Sequence, residues 1–341
     1  MTNINPEVCS EIGANADPVY FGVMPIVDWI NTAHFNSFFR PMMTEILTNR
    51  DLFNDFDTFN QWGVWVEPFG FYTQFKREAR HLQFNQYTIG LSAGAEITFF
   101  ERLLLGLGAA YSYCGVEWED QNHRQAGVNS LYLGPTFNYV FSNGYLGCSL
   151  IGVANLYHIT RDTNLFPKKI LKPIPTISDY MSFDLLARIE GGLSYTPGGQ
   201  FYFYPTARFD YLNVFEQEAT EQLDEETEMT VDGLNESFLC SKIGLKISRE
   251  FYNHDFGYLI PSISFGWINF TPATTNSYQF HIGECQNIEK EVQVDTWSQY
   301  FIGAAFNLVH KKALVVGLEY ELNMGAESPL QTGNIRIELS W

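Results

Sequence analysis

Charged side chains recur on one phase of a two-residue alternation. Glu96, Arg188, Glu190, Arg208, Asp210, Lys242, Lys246, Glu319, Glu321, Arg336 and Glu338 stand on the polar side of runs whose other side is apolar. If those runs are strands, these residues share one wall. Both signs occur in similar number, so the wall would be a wet, salt-bridged lining with no single-sign filter. Two roles are open to such a lining: ion pairs that hold a pore wall together, or a polar conduit for a chain or small solutes. Bond-making chemistry has little support. The chain has no G-x-S-x-G, no H-E-x-x-H and no phosphate-binding loop. The seven histidines are dispersed, and nothing in the sequence brings Asp120, His123 and His158 together as a catalytic group. The five cysteines, Cys9, Cys114, Cys148, Cys240 and Cys285, lie far apart with no C-x-x-C and no Cys/His ligand spacing. No enzyme, metal or cofactor is therefore expected. Cys114 falls on the polar phase and Cys148 on the apolar one.

A second signal closes the chain. Ile335, Ile337, Leu339 and Trp341 alternate with Asn334, Arg336, Glu338 and Ser340, ending on an aromatic residue. An edge strand of this kind offers free backbone N–H and C=O groups to an assembly partner by β-augmentation, and its terminal aromatic suits a membrane interface.

The elements that must carry these residues follow from the same period. In YTIGLSAGAEITF the odd positions Tyr87, Ile89, Leu91, Ala93, Ala95, Ile97 and Phe99 are apolar, and the even ones are small or polar. Counting such runs predicts about twelve strands, near 61–75, 82–99, 103–118, 127–141, 144–160, 180–196, 200–216, 234–251, 256–271, 294–309, 312–324 and 333–341. Most are two to three times the globular norm of about 5–6 residues, a length that suits tilted membrane-crossing strands. The connections alternate. FER, SNG, PGG, NHD and HK are tight, whereas 76–81, 119–126, 161–179, 217–233, 272–293 and 325–332 are long. That is the pattern of an all-β, antiparallel, up-and-down transmembrane barrel with short periplasmic turns and long external loops. The acidic stretch 216–236, with nine Asp and Glu and no Lys or Arg, reads as a solvated external loop.

Residues 1–60 form a separate N-terminal segment before the barrel of 61–341. One helix is predicted in it near 41–57, with Pro41 in the first turn and Met42, Ile46, Leu47, Phe53 and Phe56 roughly on one face. With an even strand count this segment starts in the periplasm or threads the lumen, so the helix is a candidate plug. Residues 1–30 carry no basic region followed by an unbroken apolar core, so no signal peptide is legible.

Composition agrees with this reading. Of 341 residues, 45% are hydrophobic, 16% aromatic and only 17% charged, and the net charge of −19 excludes nucleic acid as a partner. No stretch approaches the roughly 20 consecutive apolar residues of a spanning helix.

WGVWVEPFGFYTQF, GLSAGAEITFFERLLLGLGAAYSY and the ending TGNIRIELSW together resemble the β-domain of autotransporters, including the polymorphic outer-membrane proteins of chlamydia-type bacteria. The resemblance spans roughly Phe35–Trp341. It implies a bacterial outer-membrane barrel of twelve strands with an N-terminal helix through its pore, which anchors and exports an N-terminal passenger in cis by type V secretion. It also implies lipid of the outer membrane and the barrel-assembly machinery as partners, the latter reading the C-terminal strand. Asn49, Asn54 and Asn60 are isolated, so the Asn-Asn pair that some members use for self-cleavage is missing from the predicted helix. Two further readings stay open: a porin-like channel, and a surface adhesin or antigen barrel that binds through its long loops.

Overall fold

The computed structural model describes residues 23–34, 62–75, 83–100, 102–118, 124–141, 143–163, 174–197, 201–223, 228–255, 257–274, 276–282, 288–292, 296–310, 314–325 and 329–340. One helix, α1 (Met24–His34), precedes the strands. These are β1 (Trp62–Phe75), β2 (Phe84–Phe99), β3 (Leu103–Trp118), β4 (Gln125–Phe141), β5 (Gly144–Thr163), β6 (Ile174–Leu193), β7 (Phe201–Glu216), β8 (Ala219–Gln222), β9 (Glu228–Val231), β10 (Asn235–Arg249), β11 (Phe251–Asn253), β12 (Gly257–Pro272), β13 (Asn276–Ile282), β14 (Ile288–Val292), β15 (Trp297–His310), β16 (Leu314–Met324) and β17 (Leu330–Ser340).

Twelve of them, β1 to β7 with β10, β12, β15, β16 and β17, form one closed sheet. Each pairs antiparallel with its neighbours in this order, and β17 returns to β1 from Gly63↔Ser340 to Thr73↔Leu330. Closure matters because a bilayer offers no water to an unpaired backbone group, so a spanning sheet must leave no edge. The expected strand number and order are met, and the strand ends fall within a few residues of the expected ones except at the start of β6, which begins six residues earlier.

Side chains alternate between wall faces as the sequence pattern requires. Along β4, Leu131, Leu133, Phe137 and Tyr139 are exposed on the outside, whereas Val128, Ser130, Tyr132 and Asn138 are buried on the inside. The outer surface is an apolar band, with Ile89, Leu107, Leu150, Ile189, Ile263 and Leu318 among its exposed members. Toward the long-loop end the band finishes in polar-tipped side chains bonded across the wall. The Tyr111 hydroxyl donates to Asn129 Oδ1 at 2.5 Å, Ser298 Oγ to Asn269 Oδ1 at 2.9 Å, Tyr320 to Gln331 Oε1 at 3.1 Å, and Ser237 links Tyr211 and Asn213. Amphipathic rings of this kind mark a membrane–water interface. Phe100, Tyr195, Phe201, Phe251 and Tyr252 are exposed near the short-turn end and form the opposite girdle.

The short turns are built for tightness. Gly257 opens β12 at φ +88°, and a Cβ there would stand 2.2 Å from the Val309 carbonyl oxygen, so only glycine fits. At the other end two long connections carry order of their own. β8, β9, β13 and β14 make a four-stranded sheet in the order β14–β13–β9–β8. Its inner face, Ala219, Met229, Val231, Tyr278, Phe280 and Ile282, joins the main apolar core of the barrel. The acidic stretch is therefore not wholly a solvated loop. The burial of β8 alternates, so Glu218 and Glu228 are exposed while Glu216, Glu221 and Glu236 point in and are buried.

Candidate functional site

A barrel of about eight strands is filled by its own side chains, and one of 16 or more leaves a channel. Twelve strands enclose a space between these limits, and the structure fills half of it with a helix. The segment predicted as helical near 41–57 lies outside the described residues. The described helix, α1, lies further toward the N-terminus. Pro25 sits in its first turn, where a missing N–H costs nothing. Every residue from Val23 to Thr32 is buried, as befits a helix wrapped by wall on all sides.

Its seat is specific. The Trp29 ring stacks on Phe238 at 4.6 Å and meets Phe270 and Trp297 edge-on at 5.1 and 4.8 Å. Burying an indole of this size contributes about 4 kcal/mol. Asn31 Oδ1 accepts from Gln86 Nε2 at 2.8 Å and from the Thr88 hydroxyl at 2.9 Å. On another side of the helix the Tyr157 hydroxyl donates to Asp28. These contacts reach β2, β5, β10, β12 and β15, so α1 crosses the lumen rather than lying on one wall. All of them fall in the long-loop half.

The short-turn half holds the charges singled out from the sequence. Arg188 grips Asp210 through two hydrogen bonds of 2.5 and 2.8 Å, with Arg208 3.2 Å from the same carboxylate. Glu190 accepts from the Tyr145 hydroxyl at 2.5 Å. Lys242 reaches both oxygens of Glu321 at 2.7 Å and lies 4.1 Å above the Phe301 ring. Arg336 stands 3.8 Å from Glu67 and 3.3 Å from Glu338, over Trp65, and Glu96 lies beside this pair. Lys246 and Glu319 join Glu190, Arg208, Lys242, Glu321 and Arg336 around a cavity of about 120 Å³. Two aromatic rings pack closely against wall glycines. A Cβ on Gly94 would stand 2.5 Å from Trp65, and one on Gly266 2.5 Å from Phe301.

Of the C-terminal signal residues, Ile335, Ile337 and Leu339 face outward from β17, and Trp341 lies outside the described residues. Cys114 is buried inside and Cys148 is exposed on the outer wall, each a free thiol. His158 also faces out, bonded to Asp179 at 2.6 Å, while Asp120 and His123 lie outside the described residues. Sequence reasoning missed Asp28, Trp29 and Asn31. The signal was the run MPIVDWINTAH, with Pro25 in a first turn and Asp28, Asn31 and Thr32 at i, i+3 and i+4 on one face, opposite Ile26, Trp29 and Ile30.

A closed antiparallel wall, apolar outside between two girdles and plugged by a helix, defines an outer-membrane translocator barrel. The family follows from sequence: residues 64–321 match the autotransporter beta-domain, and the chain belongs to that family. Three solved structures share the fold. The translocator domain of NalP from Neisseria meningitidis matches with a TM-score of 0.63 at 11% identity, covering 89% of this chain and 99% of that one. The beta domain of BrkA from Bordetella gives 0.61 at 16% identity, covering 82% and 99%. The transport unit of AIDA-I from Escherichia coli gives 0.56 at 14% identity, covering 87% and 97%. No curated protein matches the chain.

Proposed function

We propose that this outer-membrane translocator barrel delivers a polypeptide segment N-terminal to α1 to the cell surface and anchors it there. One observation carries the reading. β1 starts at the short-turn end, where Trp62 pairs with Ile97, yet the helix preceding it in the chain sits in the opposite half of the lumen. The helix N-terminal to the wall therefore occupies the pore, which is the arrangement expected when a segment has been drawn through and its trailing helix retained. On this reading the short turns are periplasmic, the long loops and the four-stranded sheet face outward, and lipid contacts the apolar band. The lumen-lining charges hold the wall and give a polar surface that no transiting side chain binds strongly. The strand carrying Ile335, Ile337, Leu339 and Trp341 is the edge presented to the barrel-assembly machinery before β17 meets β1. A porin reading requires an open lumen and is disfavoured by the helix in it.

The test is an epitope fused ahead of Met1 in cells that express the full chain. Surface antibody binding and cleavage by added protease in intact cells are expected. An epitope reached only after the outer membrane is permeabilised overturns the reading.

A further inference from the structure

The half of the lumen that holds the helix carries four buried acids that have no ion-pair partner among the described residues. Asp28 of α1 faces Asp184 on β6 and Glu216 at the end of β7, and Glu236 at the start of β10 stands beside Glu216, all four buried. Asp184 and Glu236 lie in one register row across Val214, and Glu216 lies opposite Ser182. Among protein groups, the hydrogen-bond partners of these carboxyls are neutral. Asn155 and Ser182 donate to Asp184, Tyr157 to Asp28, and Tyr180 to Glu216 at 3.4 Å. Both oxygens of Glu236, Oε2 of Glu216 and Oδ1 of Asp28 are buried with no hydrogen-bond partner among the described residues. The nearby cations are committed elsewhere. Arg161 on β5 is bound by Glu221 of β8 at 2.8 and 2.7 Å, and Arg188 by Asp210. The other titratable groups facing this chamber, Tyr132 of β4, Tyr157 of β5, Tyr180 of β6 and Cys114 of β3, supply no positive charge.

Four carboxylates held this close, away from water, would repel one another and expel the helix that brings one of them. No group of three or more acidic or histidine side chains among the described residues is arranged to hold a metal ion. The species that can neutralise them in place is the proton.

We propose that α1 is a proton-dependent latch: it seats against the acidic wall of β6, β7 and β10 when those carboxyls are protonated, and their ionisation releases it. The inference rests on the plugged-translocator reading and adds what controls the plug. Glu216 and Glu236 stand on the loop side of the Tyr211–Ser237–Asn213 girdle. Burial lifts Glu236 from 4.5 to about 8, and burial with the neighbouring acids lifts Glu216 well above its usual range. The sign follows. A carboxyl whose value is raised in the seated state favours seating fully below its ordinary value near 4.5, and that contribution is lost as pH climbs through about 8.

The test uses the full chain refolded in detergent, with hydrogen exchange of the α1 amides, corrected for intrinsic rates, read alongside single-channel conductance. Protection in α1 is expected to fall at least ~10-fold between about pH 5 and pH 8, with conductance rising in parallel, because a titrating carboxyl changes the seating equilibrium by up to about tenfold for each tenfold change in proton concentration. The double variant Glu216→Gln with Glu236→Gln should stay protected and closed across that range. Asp28→Asn serves as a second variant, with barrel integrity checked by gel-shift on heating. Flat protection in the wild type, or an unchanged pH slope in both variants, overturns the latch. Deleting residues 1–34 separates the two readings. If the deletion opens the pore but pH does not, the latch fails and the plug stands; if the deletion leaves conductance unchanged, the plug reading fails with it.

Discussion

The two halves of the lumen differ in the cations they set among their buried acids. In the short-turn half Asp210 has Arg188 and Arg208, Glu321 has Lys242, and Glu319 lines the cavity. In the long-loop half an aromatic box, an asparagine clasp and four acids surround one helix, and those acids have no ion-pair partner among the described residues. The same alternating strands build both. The difference lies in what fills the space. Ion pairs around a cavity keep one half polar, whereas a packed helix fills the other, so that its acids become conditional on protons. A translocator needs both: a lining that binds nothing strongly during passage, and a stopper that holds afterwards.

The largest expected way to break this contrast is to empty the box. Trp29→Ala removes a ring stacked on Phe238 and flanked by Phe270 and Trp297, and should weaken seating by roughly 3–5 kcal/mol. Frequent opening in single-channel records and lost protection of α1 are expected, with the barrel itself intact. A channel as quiet as the wild type would show that the aromatic box does not hold the helix.

Arg188→Ala attacks the other half. Stranding buried Asp210 would ordinarily cost about 3–5 kcal/mol, but Arg208 at 3.2 Å shares that carboxylate, so the lower end, about 3 kcal/mol, is expected in urea unfolding from detergent. The helix should remain protected, since the loss is in the wall. A variant that opens without loss of barrel stability would show that the halves are coupled.

How much of this was legible beforehand differs between the same two regions. The wall was open to reading because its period is two: Leu131, Leu133, Phe137 and Tyr139 had to face lipid once Ser130 and Asn138 faced in, and tight turns such as SNG and NHD set the up-and-down order. The lining charges followed from phase alone, Arg208 and Asp210 lying two apart on β7 and Glu319 and Glu321 two apart on β16. The plug did not. MPIVDWINTAH does put Asp28, Asn31 and Thr32 on one face, but it is only 11 residues long and that face meets the wall rather than water, so the longer run 41–57 reads as the stronger helix. The inward turn of Glu216 and Glu236 was hidden for another reason. Charge runs normally mark solvent, and only the pairing of β8 with β9 and β9 with β13 folds the acidic stretch back over the lumen. Long-range pairing of that kind leaves no local period.

The smallest effect sharpens the contrast most. Replacing Lys242 and Glu321 together by Met and Leu removes a pair beside the polar cavity whose Coulomb attraction is largely offset by desolvation, so barrel stability should change by less than about 1 kcal/mol. Glu321→Leu alone leaves the Lys242 ammonium with the face of Phe301 and the weaker attraction of Glu319, and should cost more than the double change. Urea unfolding of the three variants gives the cycle directly. A double variant several kcal/mol less stable than the wild type would mean that the short-turn half is as tightly packed as the plugged half, and the division of the lumen into a polar lining and a proton-sensitive stopper would fall.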